Sequence, residues 1–196
     1  MDALENIMTR RSVRRFLDQP VSDEDLETIL RAGMAGPSCV NARDWCFLVT
    51  RDPRLLEQIA AANGRAADPL KGAKLGILVM GDLERAFPPA PDYWVIDGAI
   101  AAQNMILAAH ALGIGSVWLG TWPQMERVEG QRKLFGLPDT VVPHTVIAFG
   151  YADEAAEREP RRPPKTEGPG APDKVPPRPA LEKGAYEPER VHYDHW

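Results

Sequence analysis

Apolar residues are scarce in the last 45 positions of this 196-residue chain. Segment 152–196 holds nine of the 19 prolines, and its Val, Ile, Leu, Met and Phe residues are only Val175, Leu181 and Val191. A segment of this composition cannot bury enough apolar surface to form a core of its own. We therefore expect one domain over residues 1–151, followed by a proline-rich C-terminal arm over residues 152–196.

Cysteine is also scarce, since Cys39 and Cys46 are the two cysteines and their spacing is neither CxxC nor that of a zinc site. We expect two reduced thiols in a cytoplasmic protein. The first residues lack the apolar h-region of a signal peptide, and no apolar run is long enough to cross a bilayer. We therefore expect neither secretion nor a membrane partner.

Three catalytic motifs are missing from the sequence: the Gly-x-Ser-x-Gly nucleophile elbow, the P-loop lysine and His-Glu-x-x-His. No acid–base pair is evident either. His192 and His195 are three residues apart, which is not a metal signature, and we expect no metal site. An enzyme with this sequence would need a cofactor to carry its chemistry.

One basic cluster interrupts an otherwise acidic chain of net charge −5, a balance that argues against a nucleic-acid partner. Arg10, Arg11, Arg14 and Arg15 place four cations within six residues. Guanidinium groups bind phosphate oxygens through paired hydrogen bonds, and the Ser12 hydroxyl can donate to the same group. The cluster indicates either a small-anion site or a solvated basic helix end, while the net charge disfavours an arm that contacts nucleic acid.

Hydrophobic periodicity predicts four strands among five helices, which indicates an α+β or mixed α/β layer fold. Ser22 is a predicted N-cap, and Pro53 suits a first helical position. The predicted helices cover residues 2–9, 23–34, 53 onward, 93–112 and 124–135, and the predicted strands cover residues 45–50, 75–81, 116–119 and 142–151. The helix over 93–112 is apolar on nearly every side, which is typical of a central core helix.

Two loops contain features typical of ligand sites. Loop 35–45 is dense in small and hydrogen-bonding residues, and it is either a ligand loop or a plain connection. Gly113 and Gly115 have an x-G-x-G spacing, but this run follows a helix and enters a strand, the reverse of a dinucleotide fingerprint. Backbone N–H groups beside a flat ligand remain an open interpretation of that run.

Taken in order, these segments resemble the FMN-dependent nitroreductase family. The resemblance covers nearly the whole chain apart from residues 166–183, and it rests on the order and spacing of short motifs. The matching segments are 10–16 (RRSVRRF), 20–22 (PVS), 35–38 (AGPS) with Asn41 and Trp45, 97–112 (DGAIAAQNMILAAHAL), 113–120 (GIGSVWLG), 137–138 (LP), 148–151 (AFGY) and 190–196 (RVHYDHW).

The resemblance implies a homodimer of α+β subunits, each with a central mixed sheet flanked by helices and a C-terminal extension that wraps around the partner. One FMN would bind at each of two sites in the subunit interface. Residues 1–151 would form the FMN-binding domain. The implied anchors of the arm are Tyr186, Val191, Tyr193 and Trp196.

The resemblance also assigns flavin contacts. Arg10, Arg11, Ser12 and Arg14 would contact the phosphate and the ring, with Arg14 near the N1/O2 edge, where negative charge develops on reduction. The other implied contacts are Pro37, Ser38, Cys39 and Asn41 from the other subunit, the backbone N–H groups of Leu119 and Gly120 near N5, and Arg161 or Arg162 at the phosphate.

The implied activity is a ping-pong transfer of electrons from NADH or NADPH, through flavin N5, to a nitroaromatic, a quinone or a similar flat acceptor. Flavin N5 would carry the chemistry, so no side chain need act as a base. The alternatives are a specialised flavin reaction (dehalogenation, flavin breakdown or heterocycle oxidation) and a non-catalytic flavin- or phosphate-binding protein. Tyr93 and Trp94 are expected either to stack with substrate or to pack in an interface.

Loop 35–45 departs from the family pattern in two places. Cys39 stands where many relatives have a second serine, and Arg43 with Asp44 stands where relatives often have Gln-Pro. Arg43 would either add positive charge over the flavin ring or pair with Asp44.

Overall fold

The structure, a computed structural model, describes residues 1–159 and 187–192. The elements of the first range are α1 (Ala3–Thr9), α2 (Asp23–Met34), β1 (Trp45–Thr50), α3 (Pro53–Asn63), β2 (Leu75–Asp82), α4 (Tyr93–Ala111), β3 (Gly115–Gly120), α5 (Met125–Phe135), β4 (Val141–Gly150) and α6 (Glu154–Arg158). Short 3-10 turns cover Cys39–Asn41, Arg65–Gly72 and Pro188–Arg190.

The four strands form one sheet in the order β1-β2-β4-β3, so that β1 and β3 are its edges. All three pairings are antiparallel, with Phe47 opposite Val79 and Trp118 opposite Ile147. The predicted α+β class is confirmed. A mixed sheet was expected, but among the described residues the one parallel pairing is the isolated bridge between Ser12 and Ser116.

Helices cover both faces of the sheet because strand residues alternate between two apolar clusters. Ile77 and Phe149 face α2 and α4, where they meet Ile29 and Met105. The opposite face carries Leu78, Val146 and Leu119, which pack against Leu56 and Ile59 of α3 and the partly buried Leu134 of α5. The result is a three-layer arrangement of helices, sheet and helices.

Helix α4 lies close to its neighbours because glycines line the contacts. A Cβ on Gly33 of α2 would come within 2.4 Å of Met105, and a Cβ on Gly98 would lie 3.2 Å from the His144 ring. The helix is not buried all round, since Ile96 is 52% exposed. Ile96 lines a shallow apolar depression with Val95, Ala99, Ile100, Gln103 and Asn104.

The cap residues fix the helix starts as the sequence predicts. The Ser22 side chain accepts a hydrogen bond from the Asp25 N–H at 3.0 Å, and Pro53 is the first residue of α3. Each predicted helix and strand is present with ends that shift by one residue or not at all. Helix α6 is an addition, because it lies within the segment expected to form the arm.

The contacts within the chain divide it into Met1–Glu159 and Pro160–Trp196. The first unit therefore ends after α6, later than the boundary expected after residue 151. Within the second unit the described residues are 187–192, where Arg190 Nε donates to Glu187 Oε2 at 2.7 Å. Val191 is 39% exposed, and the other predicted anchors, Tyr186, Tyr193 and Trp196, lie outside the described residues.

None of the helices in residues 1–159 and 187–192 combines the length and apolarity that a bilayer crossing requires. In the same two ranges, no cluster of three or more His, Cys, Asp or Glu side chains is arranged to hold a metal ion.

Candidate functional site

The arginine segment lies along the free edge of β3. Ser12 forms a parallel bridge with Ser116, and the Val13 N–H donates to the Ser116 carbonyl at 2.9 Å. This close approach depends on Gly115, where a Cβ would come within 2.8 Å of Val13 Cβ. The sheet therefore fixes the position of the cationic cluster.

Helix α6 binds two of the arginines. The Arg11 guanidinium pairs with Glu154 and, at 3.3 Å, with Glu157. Arg15 pairs with Glu159 at 2.9 Å and also donates to the Ala156 carbonyl. These contacts favour other residues of the cluster over Arg11 as ligands for an anion.

Arg10, Ser12 and Arg14 are the remaining group. Alternate residues of an extended segment lie on opposite sides, so these three share the side opposite Arg11 and Arg15. Arg14 Nη1 donates to the Ser12 carbonyl at 3.3 Å, and the Arg14 N–H donates to Glu157 Oε1 at 2.9 Å. Each of the three is partly exposed, so an anion can reach them.

The other end of β3 presents open backbone at Gly120. The Ser116 carbonyl points to the free edge of the sheet, because it accepts from Val13, and strand alternation directs the Gly120 N–H to the same edge. Alternation turns the Leu119 N–H toward β4 instead. A Cβ on Gly120 would meet nothing closer than Trp118 Nε1 at 4.0 Å, so packing within the chain does not require a glycine there.

The free edge of β3 therefore offers cations and a hydroxyl at one end and open backbone at the other. Gly120 is the fourth residue after Ser116, a distance of about 13 Å along a strand. An elongated ligand with an anionic group at one end and a flat polar ring at the other fits this arrangement.

Backbone strain is concentrated in the loop that precedes β1. Val40, Asn41 and Arg43 have φ angles of 44°, 58° and 51°, in the left-handed region that β-branched residues such as Val40 rarely adopt. Two polar contacts hold the loop: the Cys39 N–H donates to both Asp97 carboxylate oxygens, at 3.1 and 3.0 Å, and the Ser38 Oγ accepts from the Arg43 N–H at 3.0 Å. Strained residues of this kind concentrate at functional sites, which makes this loop a candidate for ligand contact.

Two buried carboxyl groups lie beside that loop. Asp44 is 0% exposed and Asp97 is 2% exposed. Neither Asp44 carboxylate oxygen has a hydrogen-bond partner in the described part of the chain, so the alternative in which Asp44 pairs with Arg43 is not observed. Burial and the Asp97 charge raise the pKa of Asp44 to about 6. Burial, Asp97 and Asp44 also raise the pKa of the Cys39 thiol.

The carboxyl pair and a polar network behind Gly120 are the features that the sequence did not predict. The side chains of the network, Asn63, Thr121 and Gln131, are each 0% exposed. Asn63 and Gln131 come from different helices, so only the tertiary fold brings them together. Asn63 ends the mostly apolar helix α3, which is a weak sequence signal, whereas Gln131 lies among the charged residues of α5 and gives none.

Trp94 is not available for stacking with substrate, which resolves one of the alternatives left open above. Its side chain is 3% exposed, and its ring lies edge-on to Trp122 at 5.2 Å and to His144 at 5.8 Å. Tyr93 is 44% exposed and remains a candidate.

The predicted site residues fall into two groups within one chain. Ser12 and Gly120 lie at the β3 edge, with Arg10, Arg11 and Arg14 next to Ser12 in the chain and Leu119 next to Gly120, whereas Pro37, Ser38, Cys39 and Asn41 precede β1 at the opposite edge of the sheet. One protomer therefore does not bring the two groups to the same sheet edge. Arg161 and Arg162 lie outside the described residues.

Comparisons with known proteins agree with this fold. The nitroreductase family profile matches residues 7–151, and the chain belongs to the nitroreductase family. A Methanothermobacter thermautotrophicus protein whose name includes NAD(P)H nitroreductase is 39% identical over 196 residues, which is all of this chain and 88% of that protein.

Two solved structures extend the comparison. An FMN-dependent nitroreductase from Clostridium difficile superimposes with a TM-score of 0.78 and 26% identity, covering 98% of this chain and 99% of the other. A Desulfovibrio desulfuricans nitroreductase solved in complex with FMN gives a TM-score of 0.68 and 36% identity, covering 83% of this chain and 93% of the other.

Proposed function

We propose that this protein is an FMN-dependent oxidoreductase that passes electrons from NADH or NADPH to a nitroaromatic, a quinone or another flat acceptor by a ping-pong mechanism. The observation that carries the proposal is the free edge of β3, with Arg10, Ser12 and Arg14 at one end and the open Gly120 backbone at the other. Relatives named FMN reductase and NADPH-flavin oxidoreductase support it.

Each residue of the β3 edge has a distinct part in binding. Arg10 and Ser12 hold the phosphate, because a guanidinium and a hydroxyl both donate to its oxygens. Arg14 places a cation where the ring gains electron density. The Gly120 N–H donates to the ring near N5. FMN, when bound, supplies hydride and electron transfer, and the protein supplies position and charge.

A homodimer with FMN in the subunit interface completes the site in this proposal. Loop 37–43 lies at the opposite sheet edge from Gly120, so a second subunit is the natural source of the loop contacts. The exposed apolar face of α4 (Val95, Ile96, Ala99 and Ile100) supports this assembly, because apolar patches of this kind mark interfaces. The proline-rich arm would wrap around the partner.

We place the enzyme in the cytoplasm, where Cys39 and Cys46 stay reduced.

The phosphate site is tested by replacing Arg10 with alanine, and Ser12 with alanine in a second variant. Loss of a charge-assisted hydrogen bond should raise the dissociation constant of FMN about 10- to 100-fold for Arg10→Ala, and less for Ser12→Ala. Quenching of FMN fluorescence on titration measures this constant. Arg31→Ala is the matched control, since Arg31 pairs with Glu27 on the surface of α2. FMN affinity unchanged in both site variants would show that the phosphate binds elsewhere.

A further inference from the structure

The carbonyl group of Leu119 accepts a hydrogen bond from a buried side chain. Thr145 is 0% exposed and comes from β4, and its Oγ1 donates to the Leu119 carbonyl at 2.9 Å. That carbonyl and the Gly120 N–H belong to the same peptide group. A hydrogen bond accepted by the carbonyl polarises the N–H of its own peptide, because hydrogen bonds in series strengthen one another.

The next carbonyl, that of Gly120, accepts two further bonds. Asn63 Nδ2 donates to it at 3.1 Å and Arg127 Nη1 at 2.7 Å. Asn63 is itself held from behind, since its Oδ1 accepts from Thr121 Oγ1 and from Gln131 Nε2, both at 2.9 Å. Two side chains thus bind the Gly120 carbonyl directly, Thr145 binds the preceding carbonyl, and Thr121 and Gln131 hold Asn63 in place.

This arrangement is more than the packing of β3 requires. A polar network buried at 0% exposure is unfavourable unless its hydrogen bonds are satisfied, and Gln131 Oε1 still has no partner among the described residues. An apolar set of side chains would fill the same space without that penalty. What the network adds is a fixed orientation of two successive peptide groups at the open end of the β3 edge.

We propose that Thr145, with the network of Asn63, Gln131 and Arg127 behind it, is a positioning device that aims and polarises the Gly120 N–H toward the flavin ring. Thr145 is a positioning residue, because it acts on the ring only through the Leu119–Gly120 peptide. This inference rests on the proposed function, since it takes FMN as the ligand of the β3 edge.

Substitutions at Thr145 separate the hydroxyl from the shape of the side chain. Thr145→Val keeps the shape and removes the donor, so the FMN dissociation constant should rise about 3- to 10-fold. The visible absorption bands of the bound flavin should move toward those of free FMN. Thr145→Ser keeps the donor and should restore both properties.

Thr50→Val is the matched control, because Thr50 is a buried threonine at the far edge of the sheet whose Oγ1 accepts from the Asp52 N–H at 3.1 Å. It should lower the melting temperature without changing the flavin spectrum. If Thr145→Val fails to fold, a second variant, Arg127→Met, removes the charged donor to the Gly120 carbonyl. Its control is Arg132→Met on the same helix, because Arg132 binds Asp139 and not Gly120.

The outcomes distinguish the inference from its premise. Weakened FMN binding and a shifted spectrum in Thr145→Val or Arg127→Met, with the controls like wild type, would support it. A wild-type protein that binds FMN while both site variants bind it equally well, with an unshifted spectrum, would overturn it. A wild-type protein that does not bind FMN would overturn the proposed function and this inference with it.

Discussion

Asp97 controls the chemistry of a single neighbouring residue, Cys39. The carboxylate of Asp97 accepts a hydrogen bond from the Cys39 N–H. Burial first, and then the charges of Asp97 and Asp44, raise the pKa of the Cys39 thiol. A thiol reacts as the thiolate, so a raised pKa lowers the reactivity of this cysteine.

Replacing Asp97 with asparagine should make Cys39 react severalfold faster with iodoacetamide at pH 8. The amide oxygen can still accept from the Cys39 N–H, but the negative charge that raises the thiol pKa is removed. Mass spectrometry of the labelled peptide gives the rate. Cys46 is the internal control, because Asp97 does not contribute to its pKa. Burial first, and then the charges of Asp82 and Asp44, raise the pKa of Cys46 to about 11. Equal Cys39 rates in the two proteins would contradict this account of the thiol.

Helix α6 stabilises the arginine segment at the scale of elements. Glu157 is the central contact: its side chain is 8% exposed, and it binds both the Arg11 guanidinium and the Arg14 N–H. The helix starts where the Asp153 side chain accepts from the Ala156 N–H at 2.9 Å. Five residues with no apolar stripe do not form a stable helix alone, so the arginines and α6 order one another.

Glu157→Ala should lower the free energy of unfolding by about 1 to 3 kcal/mol, because it leaves the partly buried Arg14 N–H without this acceptor and removes one of the two carboxylates that pair with Arg11. Urea denaturation measures the change. Glu159→Ala is the control on the same segment, since the Glu159 side chain is 72% exposed and surface ion pairs contribute little. A loss in Glu157→Ala no larger than that of the control would show that α6 does not hold the segment.

The helices and strands were predictable from sequence because their signals are local. The Ser22 cap, Pro53 and the uninterrupted apolar helix each specify an element without reference to the rest of the chain. Helix α6, the proximity of Asp44 to Asp97 and the network around Asn63 depend on contacts between distant segments. The resemblance pointed to the β3 edge and the arginine segment, but only the structure shows that the Arg11 and Arg15 side chains bind residues 154–159.

At the scale of the whole molecule, two buried groups oppose each other in the dependence of stability on pH. Burial lowers the pKa of His144 from 6.5 to about 4, and the pKa of Asp44 is raised from 3.8 to about 6. Between pH 4 and 6 the folded state binds more protons at Asp44 than the unfolded state does, so the contribution of Asp44 to the free energy of unfolding falls as the pH rises. At His144 the folded state binds fewer protons than the unfolded state, so the contribution of His144 to the free energy of unfolding rises with pH. Each group changes the free energy of unfolding by about 3 kcal/mol at most over this range, and the two changes nearly cancel.

Single variants should therefore reveal opposite slopes. As the pH rises from 4 to 6, the stability of Asp44→Asn relative to wild type should increase by up to about 3 kcal/mol. As the pH rises from 4 to 6.5, the stability of His144→Gln relative to wild type should decrease by a similar amount. Urea denaturation at a series of pH values measures both differences. Curves that run parallel to the wild type over this range would show that neither group titrates as described.

The central claim is that the β3 edge binds FMN and that NADH or NADPH reduces it there. The most direct measurement is the visible spectrum of the FMN-loaded protein without oxygen, recorded before and after each nucleotide and again after a quinone is added. The account predicts that the flavin band bleaches with at least one nucleotide and returns with the quinone. A protein that does not retain FMN, or a bound flavin that neither nucleotide bleaches, would contradict it.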